Sequence, residues 1–219
     1  MGELRLHAIG IDEIRDMFGA DADRASTLRT LAAERFRVPE AENAPRGLIS
    51  RVGPLFRRDP RAPHLPSSYP TPNDIENLLA GRFVAPERIA HAWQVMDAWL
   101  DGLAWGRTQV EITQAGFDDL EFALARAGLP SRYSLGKLME HDPALPLRPG
   151  PGMRVGYSRH SHVEATRDAL ARITAEVEKP EHRALASGLV QFLETYPQWT
   201  QLARKLDRPE PDLFVTWRS

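Results

Sequence analysis

Apolar residues recur along this chain with two different periods, and the switches between them mark out its elements. Leu4, Leu6 and Ala8 alternate with polar neighbours, which predicts a half-buried strand over residues 3–9. A short helix from about Asp12 buries Ile14, Met17 and Phe18 and stops at Gly19. A second helix, over about residues 22–37, turns Leu28, Leu31 and Phe36 inward, and the Asp21-x-Asp23 start suits the positive end of its dipole.

The middle of the chain reads as wholly helical. Thr71 is placed to cap a helix, with Pro72 at its first position and Asp74 completing a capping box, and Gly81 ends it. Pro86 opens a longer helix with Ile89, Trp93, Met96, Leu100 and Leu103 in one stripe and Trp99 beside it. Thr113 caps a third carrying Phe117, Leu120 and Leu124, closed by Gly128, and residues 134–139 suggest one or two further turns.

After residue 152 the period changes again. Residues 153–157 read as a short strand, and Ser161-x-x-Glu164 fits a capping box that starts a helix over about 162–178, leaving His160 just outside it. Leu185, Leu189, Phe192, Leu193 and Tyr196 predict a helix ended by Pro197. Trp199, Leu202 and Leu206 suggest one more helical piece, and residues 213–217, rich in aromatic and β-branched side chains, a closing strand.

Two proline-rich stretches, residues 57–72 and 142–152, interrupt these patterns. Proline cannot donate to a helix or a central ladder, so both are expected as extended surface segments. The expected architecture is α+β and predominantly helical: a small sheet of N-terminal, middle and C-terminal strands, in a single domain spanning residues 1–219, with 73–141 as a helical insertion.

Composition narrows the function classes. A chain of 219 residues, 42% hydrophobic and 26% charged, has apolar material for an ordinary core. Its net charge of −2 supplies no basic field for nucleic acid or anionic lipid. No apolar run approaches the roughly 18–20 residues that span a bilayer, and the N-terminus does not read as a signal peptide. With no cysteine there is no disulfide, thiolate metal site or cysteine nucleophile. These features predict a soluble cytoplasmic protein without cofactor or membrane partner. Lys137, Lys179 and Lys205 are the only lysines, against 25 arginines, but the arginines are spread along the chain and interleaved with acids, as codon bias would leave them.

The densest cluster of chemistry is residues 154–164, with Arg154, Tyr157, Arg159, His160, His162 and Glu164. Tyr157, His160 and His162 could serve an enzyme acting on an anionic small molecule. A capping box through Ser161 would instead point the two histidines apart, which argues against a metal pair and makes the cluster a solvated strand-to-helix turn. Arg57, Arg58, Arg61 and Tyr69, set among prolines, form the best candidate binding surface. Arginine and tyrosine are common interface anchors, and a proline-stiffened segment loses less entropy when it orders against a partner. Trp93 and Trp99 read as core, whereas Trp105 and Tyr69, if exposed, would make an aromatic patch.

An N-terminal strand running straight into a helix (LRLHAIGIDEIRDMFG), a Pro–Gly segment before VGY and a C-terminal helix pair resemble an uncharacterised actinobacterial protein family. The resemblance covers the first 20 residues and residues 145–195 and implies no activity or site. The residues therefore predict a protein-interaction module without intrinsic catalysis, whose partner is another protein or a second copy; an immunity or regulatory kind is what its resemblance to small, cofactor-free proteins implies. The enzyme through residues 154–162 is the competing reading.

Overall fold

The computed structural model describes residues 2–36 and 69–219. Four antiparallel strands, β1 (Glu3–Ile9), β2 (Gly106–Glu111), β3 (Met153–Ser158) and β4 (Asp212–Arg218), form one sheet in the order β2-β1-β4-β3. The two central strands come from opposite ends of the chain, paired so that Leu6 faces Val215. The fold is thus α+β and predominantly helical.

Helices lie on both faces of the sheet. On one face are α1 (Ile11–Arg15), α2 (Ala22–Arg35), α3 (Pro72–Leu79) and α4 (Ile89–Leu103). Ile14, Leu28, Leu78, Met96 and Trp99 from these helices pack against Ile9, Tyr157 and Phe214 of the strands. On the other are α5 (Gln114–Arg126), α6 (His160–Ile173), α7 (Pro180–Leu193) and α8 (Tyr196–Lys205). Their Phe117, Leu124, Val163, Leu170, Leu193 and Tyr196 meet Leu4, Leu6, Val215 and Trp217. Successive strand residues point to opposite faces, so one short sheet serves two cores.

Local signals set most of these boundaries. Asp21 and Thr113 each cap a helix through a side-chain oxygen, accepting the backbone N–H of Arg24 (2.8 Å) and Gly116 (3.0 Å). Thr71 and Asp74 form the expected reciprocal box. Gly19, Gly81 and Gly128 follow their helices with φ of +78°, +60° and +101°, which a side chain would strain.

Three expectations are corrected. The middle of the chain is not wholly helical, because residues 106–111 form β2 and pair with β1. Only Thr108 and Val110 mark its inner face, too few to stand out beside the long helices on either side. Pro197 does not end a helix but lies in the first turn of α8, where its missing N–H has no partner to lose. Finally, Ser161 does not cap α6. The helix begins at His160, its N-cap is Arg159 with no side-chain cap of its own, and it ends at Ile173 before a short 3-10 turn.

Candidate functional site

The face of β1 that carries Glu3, Arg5 and His7 is polar, and the flank of α4 above it carries Gln94, Asp97 and Asp101. The buried stripe of α4 (Trp93, Met96, Trp99, Leu100) turns toward α2 and the apolar end of the sheet. Polar residues on both sides leave nothing to fill the remaining space, and a cleft of about 700 Å³ opens there. Phe36, Tyr69, Trp93 and Met153 form its apolar walls, and Arg5, Arg35 and Arg218 its cationic ones.

Among the described residues, Asp97 is the one carboxylate that lines the cleft with these three guanidinium groups. Asp97 accepts from Arg218 at 2.8 Å and lies 3.3 Å from Arg5, which also pairs with Glu3 at 2.8 Å. Arg35, exposed at the end of α2, has no carboxylate partner among the described residues. Trp93 is held by donating its indole N–H to the Arg148 carbonyl at 2.8 Å. The second proline stretch therefore braces a cleft wall rather than lying free on the surface, and it buries Leu147.

A smaller hollow of about 360 Å³ adjoins the cleft and shares Arg5 and Arg35 with it. Here the buried His7 ring sits 3.3 Å from Asp101, and Asp101 pairs with Arg107 at 2.6 Å. Burial pushes the Asp101 carboxyl up, but hydrogen bonds from His7 and Arg107 outweigh it and bring it down to about 2. His7 Nδ1 and Gln94 Oε1, in the walls of the two hollows, are buried with no hydrogen-bond partner. Such orphaned atoms cost stability that packing does not return.

The residues singled out in the sequence fall elsewhere. Tyr157 is buried, its ring 5.5 Å from that of His141 and flanked by Arg15 and Arg159. His160 opens α6 on the other side, against Pro211 and the Tyr196 ring. His162, two residues on, turns toward Tyr133. Burial lowers its pKa and the nearby His141 lowers it further. Among the described residues, no hydrogen bond, ion pair or ring contact joins Tyr157, His160 and His162 to one another, although His141 lies near both Tyr157 and His162. The hollow beside His160 is lined by Arg159, Ser161, Glu210 and Asp212 and does not include Tyr157. Arg154 is exposed at the outer strand.

Of the candidate binding residues, Arg57, Arg58 and Arg61 lie outside the described residues. Tyr69 is 41% exposed, stands 6.2 Å from the Phe36 ring and lines the cleft. Trp105 is half-buried with the Arg208 guanidinium stacked on it at 4.1 Å, and it does not line the cleft beside Tyr69.

Sequence reasoning passed over Arg5, Arg35, Asp97 and Arg218. Two signals could have found Arg5 and Asp97: consecutive odd positions of β1 that are all charged or imidazole, and two aspartates one turn apart on a largely apolar helix; neither marks Arg35 or Arg218. Among the described residues, no group of three or more His, Asp or Glu is placed to hold a metal ion, and no helix is long and apolar enough to cross a membrane. Compared with known proteins, the chain matches no family model, no curated protein and no solved structure.

Proposed function

We propose that this chain is a cytoplasmic recognition module, without catalysis of its own, that holds an acidic stretch of a protein partner in the cleft between α4 and the sheet. The observation that carries this reading is the imbalance of charge there: Arg5, Arg35 and Arg218 line the cleft, Asp97 pairs with Arg5 and Arg218, Glu3 takes a further share of Arg5, and Arg35 is left with no carboxylate partner among the described residues. A guanidinium presents its donors as a fork that matches a carboxylate, and the half-buried setting weakens competition from water. Phe36, Tyr69 and Trp93 offer apolar contact beside that charge, as interface anchors do. A net charge of −2 supplies no overall basic field for a polyanion, which favours an acidic protein segment over nucleic acid. Lack of cysteine suits a reducing compartment. Immunity against a neighbouring toxin, or regulation of a partner, is the kind of work such a module performs.

The cleft volume favours a second reading. About 700 Å³ falls within the roughly 300–1,000 Å³ of small-molecule sites, so a small organic anion is the alternative ligand.

Selection of a random peptide library on the protein tests the first reading. Enriched peptides should carry Asp or Glu, and Arg35→Glu, which breaks no ion pair with a described residue, should weaken them about tenfold or more. Peptides without acids, or binding indifferent to Arg35→Glu, would remove the support. Titration with small aromatic carboxylates separates the second reading, since they would bind in the absence of any peptide affinity.

A further inference from the structure

β2 is an outer strand of the sheet, and its free edge has an internal symmetry. The Ile112 N–H donates to the Gly2 carbonyl at 2.9 Å, in step with the pairing of Leu4 with Val110 and Leu6 with Thr108. In an antiparallel ladder, hydrogen-bonded and non-bonded pairs alternate. The backbone groups of Thr108 and Val110 therefore turn toward β1, and those of Arg107, Gln109 and Glu111 turn outward. Among the described residues, none of these outward groups has a partner.

We propose that this edge pairs with the same edge of a second copy of the chain, antiparallel, with Gln109 opposite Gln109. In that register, Arg107 of each copy stands opposite Glu111 of the other, on the same face of the joined sheet. Thr108 stands opposite Val110, a β-branched pair suited to a sheet surface. The hydrogen-bond phase agrees with the side chains, because all three outward-facing residues fall at hydrogen-bonded positions and each donates once and accepts once. Sliding the copies by two residues either way loses one of these pairs and both Arg–Glu contacts: one slide sets Arg107 opposite the neutral Gln109, the other sets Glu111 there.

Charges on an edge strand commonly guard it against pairing. Here one charge of each sign sits two residues either side of a neutral centre, so the pattern attracts an antiparallel copy of itself. Arg107 and Glu111 are both exposed. Arg107 also pairs with Asp101, and its five N–H donors are enough to serve both acids. The two sheets would join through their β2 strands, with the hollow beside Arg107, Thr108 and Gln109 of each copy at the seam.

Sedimentation over the micromolar range tests the pairing. The protein should form a reversible dimer. Glu111→Arg alone sets arginine against arginine, Arg107→Glu alone sets glutamate against glutamate, and each should weaken the dimer about tenfold or more. Mixing the two variants makes both contacts opposite in sign again and should restore dimer, which also shows that both variants fold. The chain has no cysteine, so Gln109→Cys should oxidise to a cross-linked dimer faster than the exposed Asp118→Cys on α5. A monomer at every concentration, a dimer indifferent to Glu111→Arg, or no rescue on mixing overturns the proposal.

Discussion

One oxygen of the Asp212 carboxylate accepts the backbone N–H of His160 at 2.9 Å, while the other accepts that of Ile11 at 3.1 Å. A single buried side chain at the start of β4 thus caps α6 and α1, helices that begin about 150 residues apart in sequence. Arg159 adds a contact at 3.3 Å, and the Tyr196 hydroxyl donates to the Asp212 carbonyl at 3.2 Å. Asp212 takes the role that Ser161 was expected to fill.

Asp212→Ala should therefore destabilise the protein by roughly 2–4 kcal/mol, since two caps are lost and two donors are left without acceptors. Asp212→Asn, which keeps one acceptor oxygen, should fall between. Ser161→Ala should cost less than about 0.5 kcal/mol, as befits an exposed helical position. Urea unfolding of the three variants checks the order, and a loss at Ser161 equal to that at Asp212 would refute it.

Acid should expose a second dependence. Burial pushes the Asp74 carboxyl up, but the Arg88 guanidinium and the Thr71 backbone and hydroxyl outweigh it and hold it at about 2, below its ordinary 3.8. Because the folded value lies below the unfolded one, this contribution is complete above 3.8 and is lost as pH falls toward 2. Asp101 behaves in the same way. Melting temperature should fall through that window, and Asp74→Asn should start lower at neutral pH and show a shallower fall.

Gly156 of β3 lies directly against the backbone carbonyl of Met139, where any Cβ would collide with main-chain atoms. Gly156→Ala should cost roughly 1–3 kcal/mol by pushing the turn at 135–139 off the sheet. Gly188→Ala on α7 meets nothing within 4 Å and should be neutral or stabilising. Thermal melts of the pair separate a packing effect from a general intolerance of alanine.

In the cleft, Asp97→Asn should strengthen binding of an acidic ligand and steepen its dependence on salt, because Arg5 and Arg218 lose their common counter-charge. Tyr69→Ala should leave the melting temperature nearly unchanged, since the ring is 41% exposed, while reducing affinity. Weaker binding in Asp97→Asn would show that the cleft is not read by charge.

Helix positions were legible because the signals that start and stop a helix are local. Asp21, Thr71 and Thr113 act on N–H groups within three residues, and Gly19, Gly81 and Gly128 act through their own φ. The alternation over residues 3–9 and the β-branched and aromatic run at 213–217 likewise marked β1 and β4, but not that they would pair. β2 was missed because six residues with two inward side chains carry little pattern, and its strand state is decided by the ladder with β1.

The capping box at Ser161 and Glu164 matched a local rule, yet Asp212 binds the preceding N–H and starts the helix one residue earlier than Ser161, at His160. That turn sets His160 against Tyr196 and His162 against Tyr133. By itself, the sequence determined the fold class, most helix ends and the lack of thiol chemistry, all of which depend on near neighbours or composition. Only tertiary structure decided the cleft. Arg5, Asp97 and Arg218 lie about a hundred residues apart along the chain, and they meet because the chain's two ends pair at the centre of the sheet beneath α4.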